Sequence, residues 1–102
     1  MTEYTLQQKL IAEFIGTLFL TYTICLTAVW GSSGDFHPGF AIAAILMAMI
    51  YSLGYISGAH FNPAVTIGVW IRGSCEKAEV LPYIASQSIA GVFGALLSGY
   101  TY

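Results

Sequence analysis

A polar, turn-rich stretch at residues 57–66, SGAHFNPAVT, lies between two long apolar segments. Gly58 gives the backbone a freedom that residues with side chains lack. Asn62 is a favoured N-cap residue, because its side-chain oxygen can accept a hydrogen bond from the first turn of a helix. Pro63 suits the first helical position, where a missing N–H is no loss. The stretch therefore predicts a break in the chain and then a helix, with carbonyl and amide groups available for hydrogen bonding.

Residues suited to covalent chemistry are few and scattered along the chain. The sequence has no evident nucleophile–base pair and no Cys/His cluster with the spacing of metal ligands. It therefore indicates no enzyme, no metal site and no cofactor. Cys25 and Cys75 are expected to be free thiols, since one falls in a predicted span and the other in a predicted loop. His37 falls in another loop and is expected to be solvated, although an imidazole there could also sense pH.

The elements that position these residues are apolar. Of the 102 residues, 57% are hydrophobic and 8% are charged, whereas a soluble domain carries about a quarter charged residues. A net charge of −2 indicates neither nucleic acid nor a charged substrate. Apolar segments at about residues 10–30, 38–56 and 80–102 are each long enough to cross a hydrocarbon core of roughly 30 Å as a helix. The first is longer than the apolar part of a signal peptide and lacks an evident cleavage site, so a span is expected there.

Basic residues lie on one side of the predicted spans. Lys9 precedes the first span, Arg72 and Lys77 lie between the second and third, and the turn-rich loop at residues 31–39 has none. We therefore expect a multi-pass protein of the cell membrane. The positive-inside rule places its N-terminus in the cytoplasm. Small residues spaced four apart on the third span indicate close helix packing; they are Ser86, Ala90, Gly94 and Ser98.

The helix that begins at Asn62 is too short to cross a membrane. Residues 62–72 would be roughly 16 Å long, about half of the hydrocarbon thickness. Both of its flanks lead to the cytoplasmic side, so residues 57–72 are predicted to form a re-entrant loop and half-helix. Non-helical backbone at that depth must be buried in protein or line a water-filled cavity. The predicted fold class is all-α transmembrane, with three spanning helices and one re-entrant half-helix in a single repeat at residues 1–102.

Three sequence motifs resemble those of a known family, and they follow one another along the chain in the order found in that family. SGAHFNPAVT at residues 57–66 resembles the first signature of the aquaporin, or major intrinsic protein, family. AEFIGT at residues 12–17 resembles the motif that opens its first helix. PYIASQ at residues 82–87, followed by small residues at 90–95, resembles its third helix. The resemblance implies passive permeation of water, and of small neutral solutes such as glycerol, with no chemical reaction.

The resemblance also implies which residues line the pore. The carbonyls of Gly58, Ala59 and His60 would hold solutes in single file, and the Asn62 amide would donate to them at mid-pore. The contact between two half-helices and an apolar wall beside it would come from Pro63, Ala64 and Val65. His60 is expected to act through its backbone and as a braced side chain, not as a metal ligand. The positive end of the helix would oppose cations.

The resemblance also assigns three apolar positions that lie outside the three motifs. Ile42 falls where strict water channels of the family usually carry an aromatic residue in the outer filter, which suggests a wider or less polar constriction. Leu46 and Leu20 would be apolar pore walls. For each of the three, packing against lipid or a neighbouring helix is the alternative interpretation.

Glu13 and Gln87 are expected to brace the pore loop. An ionisable residue inside a span is a functional hypothesis by default. The resemblance implies that the Glu13 carboxylate accepts hydrogen bonds from loop backbone near His60, and the alternative is a side chain that extends to the interface. Gln87 is expected to hydrogen-bond to the same loop, with pore contact as its alternative.

The family's pore is built from two inverted repeats, and this chain carries one. Three explanations are open: the first half of a longer channel, a half-channel that pairs with an inverted copy, or a non-conducting structural or assembly subunit. The one-sided basic residues argue against inverted pairing. The expected partners are the lipid bilayer, water and small neutral solutes, and a second repeat in cis or an inverted homodimer partner. A tetramer of pores is a further expectation from the family.

Overall fold

The computed structural model describes residues 4–30 and 37–101, with the backbone alone at residues 29–30. Of the predicted loop at residues 31–39, only residues 37–39 fall within the described part of the chain. Four α-helices and no strand occur there: α1 at Leu6–Ile24, α2 at Pro38–Ser57, α3 at Pro63–Arg72 and α4 at Lys77–Thr101. The all-α fold predicted from the sequence is confirmed.

The first helix begins before the apolar segment that predicts it. Thr5 and Gln8 form a capping box, in which Thr5 Oγ1 accepts from the Gln8 N–H at 3.2 Å and Gln8 Oε1 accepts from the Thr5 N–H at 2.9 Å. The helix therefore starts at Leu6, whereas the span was expected from about residue 10. Beyond α1 the chain continues as a π-helical turn, Cys25–Trp30, which the apolar pattern did not predict.

The second and third helices begin in the same way, with a capping side chain followed by proline at the first position. His37 Nδ1 accepts from the Gly39 N–H at 2.9 Å, and Asn62 Oδ1 accepts from the Ala64 N–H at 2.7 Å. His37 is exposed, so its imidazole both meets solvent and caps α2. α3 ends at Arg72 and is capped by Gly73, whose φ of 91° suits a residue without a side chain.

The fourth helix begins before the apolar segment at residues 80–102 that predicts it. It starts at Lys77, and Glu79 lies in its first turn, where the helix dipole favours a negative charge. The Glu79 carboxylate pairs with Lys9 Nζ of α1 at 2.8 Å. Contact with a residue distant in sequence therefore supports the first turn of α4.

α1 is the centre of the packing. It contacts both α2 and α4, and α3 packs on α4. Along α4 the small residues Ala90, Gly94 and Ser98 are buried. A Cβ atom at Gly94 would lie 2.8 Å from the carbonyl oxygen of Leu18 on α1, so the missing side chain is what lets the two helices approach this closely.

Three helical stretches are long and apolar enough to cross a membrane: Leu6–Ala28, Pro38–Ser57 and Lys77–Thr101. α3 is not one of them, because its 10 residues span about 15 Å of a hydrocarbon core that is roughly 30 Å thick. Three helices of spanning length and one of half that length form the architecture of a multi-pass membrane protein, as predicted.

Candidate functional site

The loop that joins α2 to α3, residues 58–62, has an uncommon backbone. Gly58, Ala59 and Phe61 have φ angles of 90°, 57° and 55°. Alanine and phenylalanine rarely adopt positive φ, at a cost of about 1–2 kcal/mol for each residue. Such a conformation persists only where surrounding groups hold it. Hydrogen bonds from the neighbouring helices hold the loop in this conformation.

Glu13 of α1 is the main anchor of this loop. Its Oε2 accepts from the Ser57 hydroxyl at 2.7 Å and from the His60 N–H at 3.0 Å. Its Oε1 accepts from the Phe61 N–H at 2.8 Å and from Gln87 Nε2 at 2.7 Å. The side chain is 0% exposed. Four donors therefore surround a fully buried carboxylate, and this geometry fits a brace better than a side chain that extends to the interface.

A second set of hydrogen bonds ties the loop to α3 and α4. Gln87 Nε2 also donates to Thr66 Oγ1 at 2.9 Å, and Thr66 Oγ1 lies 3.0 Å from His60 Nδ1. The Tyr83 hydroxyl donates to the carbonyl oxygen of Ser57 at 2.8 Å, where α2 ends. Thr66 and Gln87 are almost completely buried. The loop is thus held from three helices at once.

Phe61 fills a gap in α1. Its side chain is buried, and a Cβ atom at Gly16 would overlap the aromatic ring. The ring therefore lies directly against the backbone of α1, one turn beyond Glu13. Packing and hydrogen bonding act on the same residue, since the Phe61 N–H is also bonded to Glu13.

The beginning of α3 carries the residues predicted to meet the solute. Asn62 uses Oδ1 to cap the helix, which leaves its NH₂ group with no hydrogen bond to a residue that the structure describes. Asn62, Ala64 and Val65 are exposed, and Pro63 is half-buried. This end of the helix therefore presents an amide donor and small apolar groups on an open face.

The three apolar positions lie apart from this network. Ile42 and Leu46 are on α2, Leu20 is on α1, and each is half-buried. The structure brings Glu13 and Gln87 together with the loop but leaves these three outside the hydrogen-bonded group. Their role in a pore wall stays a prediction.

A cavity of about 310 Å³ opens where α1 and α4 begin and α2 ends. Its lining includes Gly58 and His60 of the loop, together with Lys9, Cys75 and Glu79. Burial, with a further contribution from Glu79, raises the pKa of the Cys75 thiol, which makes it a poor nucleophile. In the described part of the chain, no three His, Cys, Asp or Glu side chains are grouped to hold a metal ion.

Several residues that hold the loop were not singled out by the sequence. Thr66, Ser57 and Tyr83 each make a contact between elements that are distant in sequence, and periodicity gives no signal for such contacts. Gly16 did carry a signal, because an isolated glycine inside a helical pattern often marks close packing. Its partner, Phe61, could not be deduced from that signal.

Comparison with known proteins adds independent findings. The family described as Major intrinsic protein matches residues 1–102. Aquaporin Z of Photorhabdus laumondii is 42% identical over 94 residues, a match covering 86% of this chain and 41% of that protein. Aquaporin NIP1-1 of Arabidopsis thaliana is 46% identical over 93 residues, covering 86% of this chain and 31% of that protein.

A third relative is the probable aquaporin AqpM of Archaeoglobus fulgidus. It is 37% identical over 115 residues, and the match covers 91% of this chain and 47% of that protein. The chain therefore spans less than half the length of each of these three curated relatives.

Proposed function

The chain belongs to the major intrinsic protein family, and on that premise we propose that it forms one half of a passive membrane channel for water. The observation that carries this proposal is the loop at residues 58–62, held in a strained conformation by Glu13 and leading into a capped helix of half the membrane thickness. A loop held so firmly at the start of a short helix suits a fixed row of polar groups.

The loop supplies the polar groups of the proposed path. The carbonyls of Gly58, Ala59 and His60 accept hydrogen bonds from water, and the Asn62 NH₂ group donates to a water oxygen. The positive end of the α3 dipole lies beside that amide and repels cations. Water thus exchanges bulk hydrogen bonds for protein ones along the path, while ions lose hydration without equivalent compensation. No chemical step is involved.

The apolar walls set which solutes pass. Val65 lies in the first turn of α3 with 44% of its surface exposed, which supports a place at the pore wall. We propose Ile42, Leu46 and Leu20 as further wall positions. An isoleucine at position 42 offers no aromatic ring to narrow the path, so small neutral solutes such as glycerol are proposed to pass as well as water.

A second half must complete the path. α3 covers about 15 Å of a core that is roughly 30 Å thick, and Pro63 and Ala64 lie at its open end. The proposed partner is a second, inverted repeat, either in cis or in an inverted copy of the chain. A tetramer of complete pores in the cell membrane completes the proposal, and with the second repeat in cis each N-terminus lies in the cytoplasm.

The second candidate is a structural or assembly subunit that conducts nothing by itself. The same exposed end of α3 favours it, since a half-helix without a mate offers no continuous path. This candidate predicts association with a channel but no contribution of Asn62 to flux.

A chimera tests the proposal directly. Residues 1–102 replace the matching part of Photorhabdus aquaporin Z, and stopped-flow light scattering measures water permeability in proteoliposomes. The chimera should exceed protein-free vesicles, and Asn62→Asp should bring it close to their level, because the substitution removes the amide donor and introduces a charge. Gln7→Glu makes the same chemical change at an exposed site on α1 and should leave permeability unchanged.

A chimera that does not conduct would decide against the channel. A chimera that inserts and folds but is no more permeable than lipid, and that is indifferent to Asn62→Asp, would contradict the channel proposal and favour the structural subunit.

A further inference from the structure

The hydrogen bonds around Thr66 fix the direction of each donor. Gln87 Nε2 lies 2.7 Å from Glu13 Oε1 and 2.9 Å from Thr66 Oγ1. The opposite amide orientation would set the Gln87 oxygen against a carboxylate oxygen, and two acceptors repel each other. Both hydrogens of the Gln87 NH₂ group are therefore committed, one to Glu13 and one to Thr66. Thr66 Oγ1 is an acceptor in this contact.

The Thr66 hydroxyl then has one acceptor for its proton among the described residues. Among the described residues, the other polar atom in hydrogen-bond contact with Thr66 Oγ1 is His60 Nδ1, at 3.0 Å. Thr66 is 0% exposed, so water is not an alternative partner. The hydroxyl must donate to Nδ1, and a nitrogen that accepts carries no proton.

From this geometry we propose that Thr66 is a positioning residue that holds His60 as a neutral imidazole with its proton on Nε2. The two other forms of the ring carry a proton on Nδ1. Either one would take the place of the Thr66 hydroxyl proton and leave a buried donor without a partner, which is unfavourable. The chain of donors runs from Gln87 through Thr66 to His60.

The consequence concerns the cavity at the end of the loop. His60 Nε2 lies beside Gly58, where a Cβ atom would be 3.3 Å away, and both residues line that cavity. The ring therefore offers the cavity an N–H donor, without a positive charge. It is matched to an acceptor such as the oxygen of water or of a small alcohol. This part of the inference rests on the proposed function, whereas the tautomer does not.

Nitrogen-15 NMR of the whole chain in lipid bilayers tests the tautomer. The chain has two histidines, and His37→Asn removes one of them while keeping a favoured N-cap residue. The remaining signal should show an unprotonated Nδ1 and a protonated Nε2 at neutral pH. A protonated Nδ1 in the chain with native Thr66 would overturn the proposal without any further variant.

Two substitutions test the part played by Thr66. Thr66→Val keeps the shape and removes the hydroxyl, so the ratio of Nε2–H to Nδ1–H forms should fall by about tenfold, the change expected for one lost hydrogen bond. Thr66→Ser keeps the hydroxyl and should preserve the ratio. Equal ratios in all three proteins would show that Thr66 does not select the tautomer.

Water permeability of the chimera is measured separately with the same variants. A selected tautomer in a chimera without flux would refute the channel proposal and leave the role of Thr66 intact. A conducting chimera in which His60 Nδ1 is protonated would refute the role of Thr66 and leave the channel proposal intact.

Discussion

Glu13 lies inside a helix of spanning length, where a carboxylate is costly unless its hydrogen bonds are satisfied. Each of its oxygens receives two donors, and two of the four donors are backbone N–H groups of the loop. Those N–H groups cannot join a helix because the backbone around them turns at positive φ. The carboxylate and the loop therefore depend on each other.

Glu13→Gln should loosen the loop. The amide keeps the size of the side chain but sets an NH₂ group against N–H and O–H donors, at a cost of about 2 kcal/mol or more for hydrogen bonds to a charged group. We expect a lower thermal unfolding temperature in detergent and reduced water flux in the chimera. Glu76→Gln, at an exposed position in the 73–76 loop, is the matched control and should change neither. Equal stability of the two variants would refute the brace.

Ile42 carries the proposal on selectivity. Ile42→Phe adds an aromatic ring at the predicted outer filter, so glycerol flux through the chimera should fall more than water flux. Stopped-flow measurements with glycerol gradients and with an impermeant osmolyte compare the two. A fall of equal proportion in both fluxes would show that position 42 lies away from the filter.

At the scale of the elements, α3 was the easiest helix to predict, whereas α1 and α4 both begin before the apolar segments that predict them. The sequence Asn62-Pro63 marks the start of α3 and Gly73 marks its end, through local capping rules that need no tertiary contact. The start of α4 was expected at about residue 80, but the helix begins at Lys77. Its first turn includes charged residues that look like a loop until Lys9 is placed beside Glu79.

Some residues of the site could be predicted from the sequence and others could not. Glu13 and Gln87 were predicted as loop partners through the family motifs, and the structure brings both to the loop. The contacts of Thr66 and Tyr83 could not be predicted, because they depend on how α3 and α4 lie against the loop. Local sequence specifies where a capped helix such as α3 starts, and packing specifies which side chains meet.

The contact between α1 and α4 can be tested with two glycines on one helix. Gly94→Ala places a methyl group against the Leu18 carbonyl, and such overpacking typically costs about 1–3 kcal/mol. Gly91→Ala is the control, since its Cβ atom would lie 3.9 Å from the nearest atom, Thr21 Oγ1. Thermal unfolding followed by circular dichroism should show a loss for Gly94→Ala alone. Equal unfolding temperatures would mean that the two helices can separate at no cost.

At the scale of the whole molecule, much apolar surface is left uncovered. No residue in the most apolar window of α2 is buried within the described chain, and the open end of α3 is exposed. Lipid can cover the first of these surfaces. The second bears an amide donor and a positive helix end, which hydrocarbon does not solvate. The proposed second half-pore would meet that requirement.

The orientation of the chain is a prediction at this scale. In a background with both native cysteines changed to serine, Ser74→Cys should react with a membrane-impermeant maleimide from the cytoplasmic side, and Thr101→Cys from the outside. Both positions are exposed. Labelling of each cysteine from both sides in one preparation would contradict a single orientation and support an inverted pair.

The depth of α3 in the bilayer tests the central claim most directly. A fluorophore on Val65→Cys, in the same cysteine-free background, is quenched by lipids brominated at different depths. Ala48→Cys at the middle of α2 and Ser74→Cys beyond the end of α3 give the reference depths. We predict that position 65 matches position 48, near the centre of the bilayer. A depth matching position 74 would place α3 at the surface and contradict the half-pore.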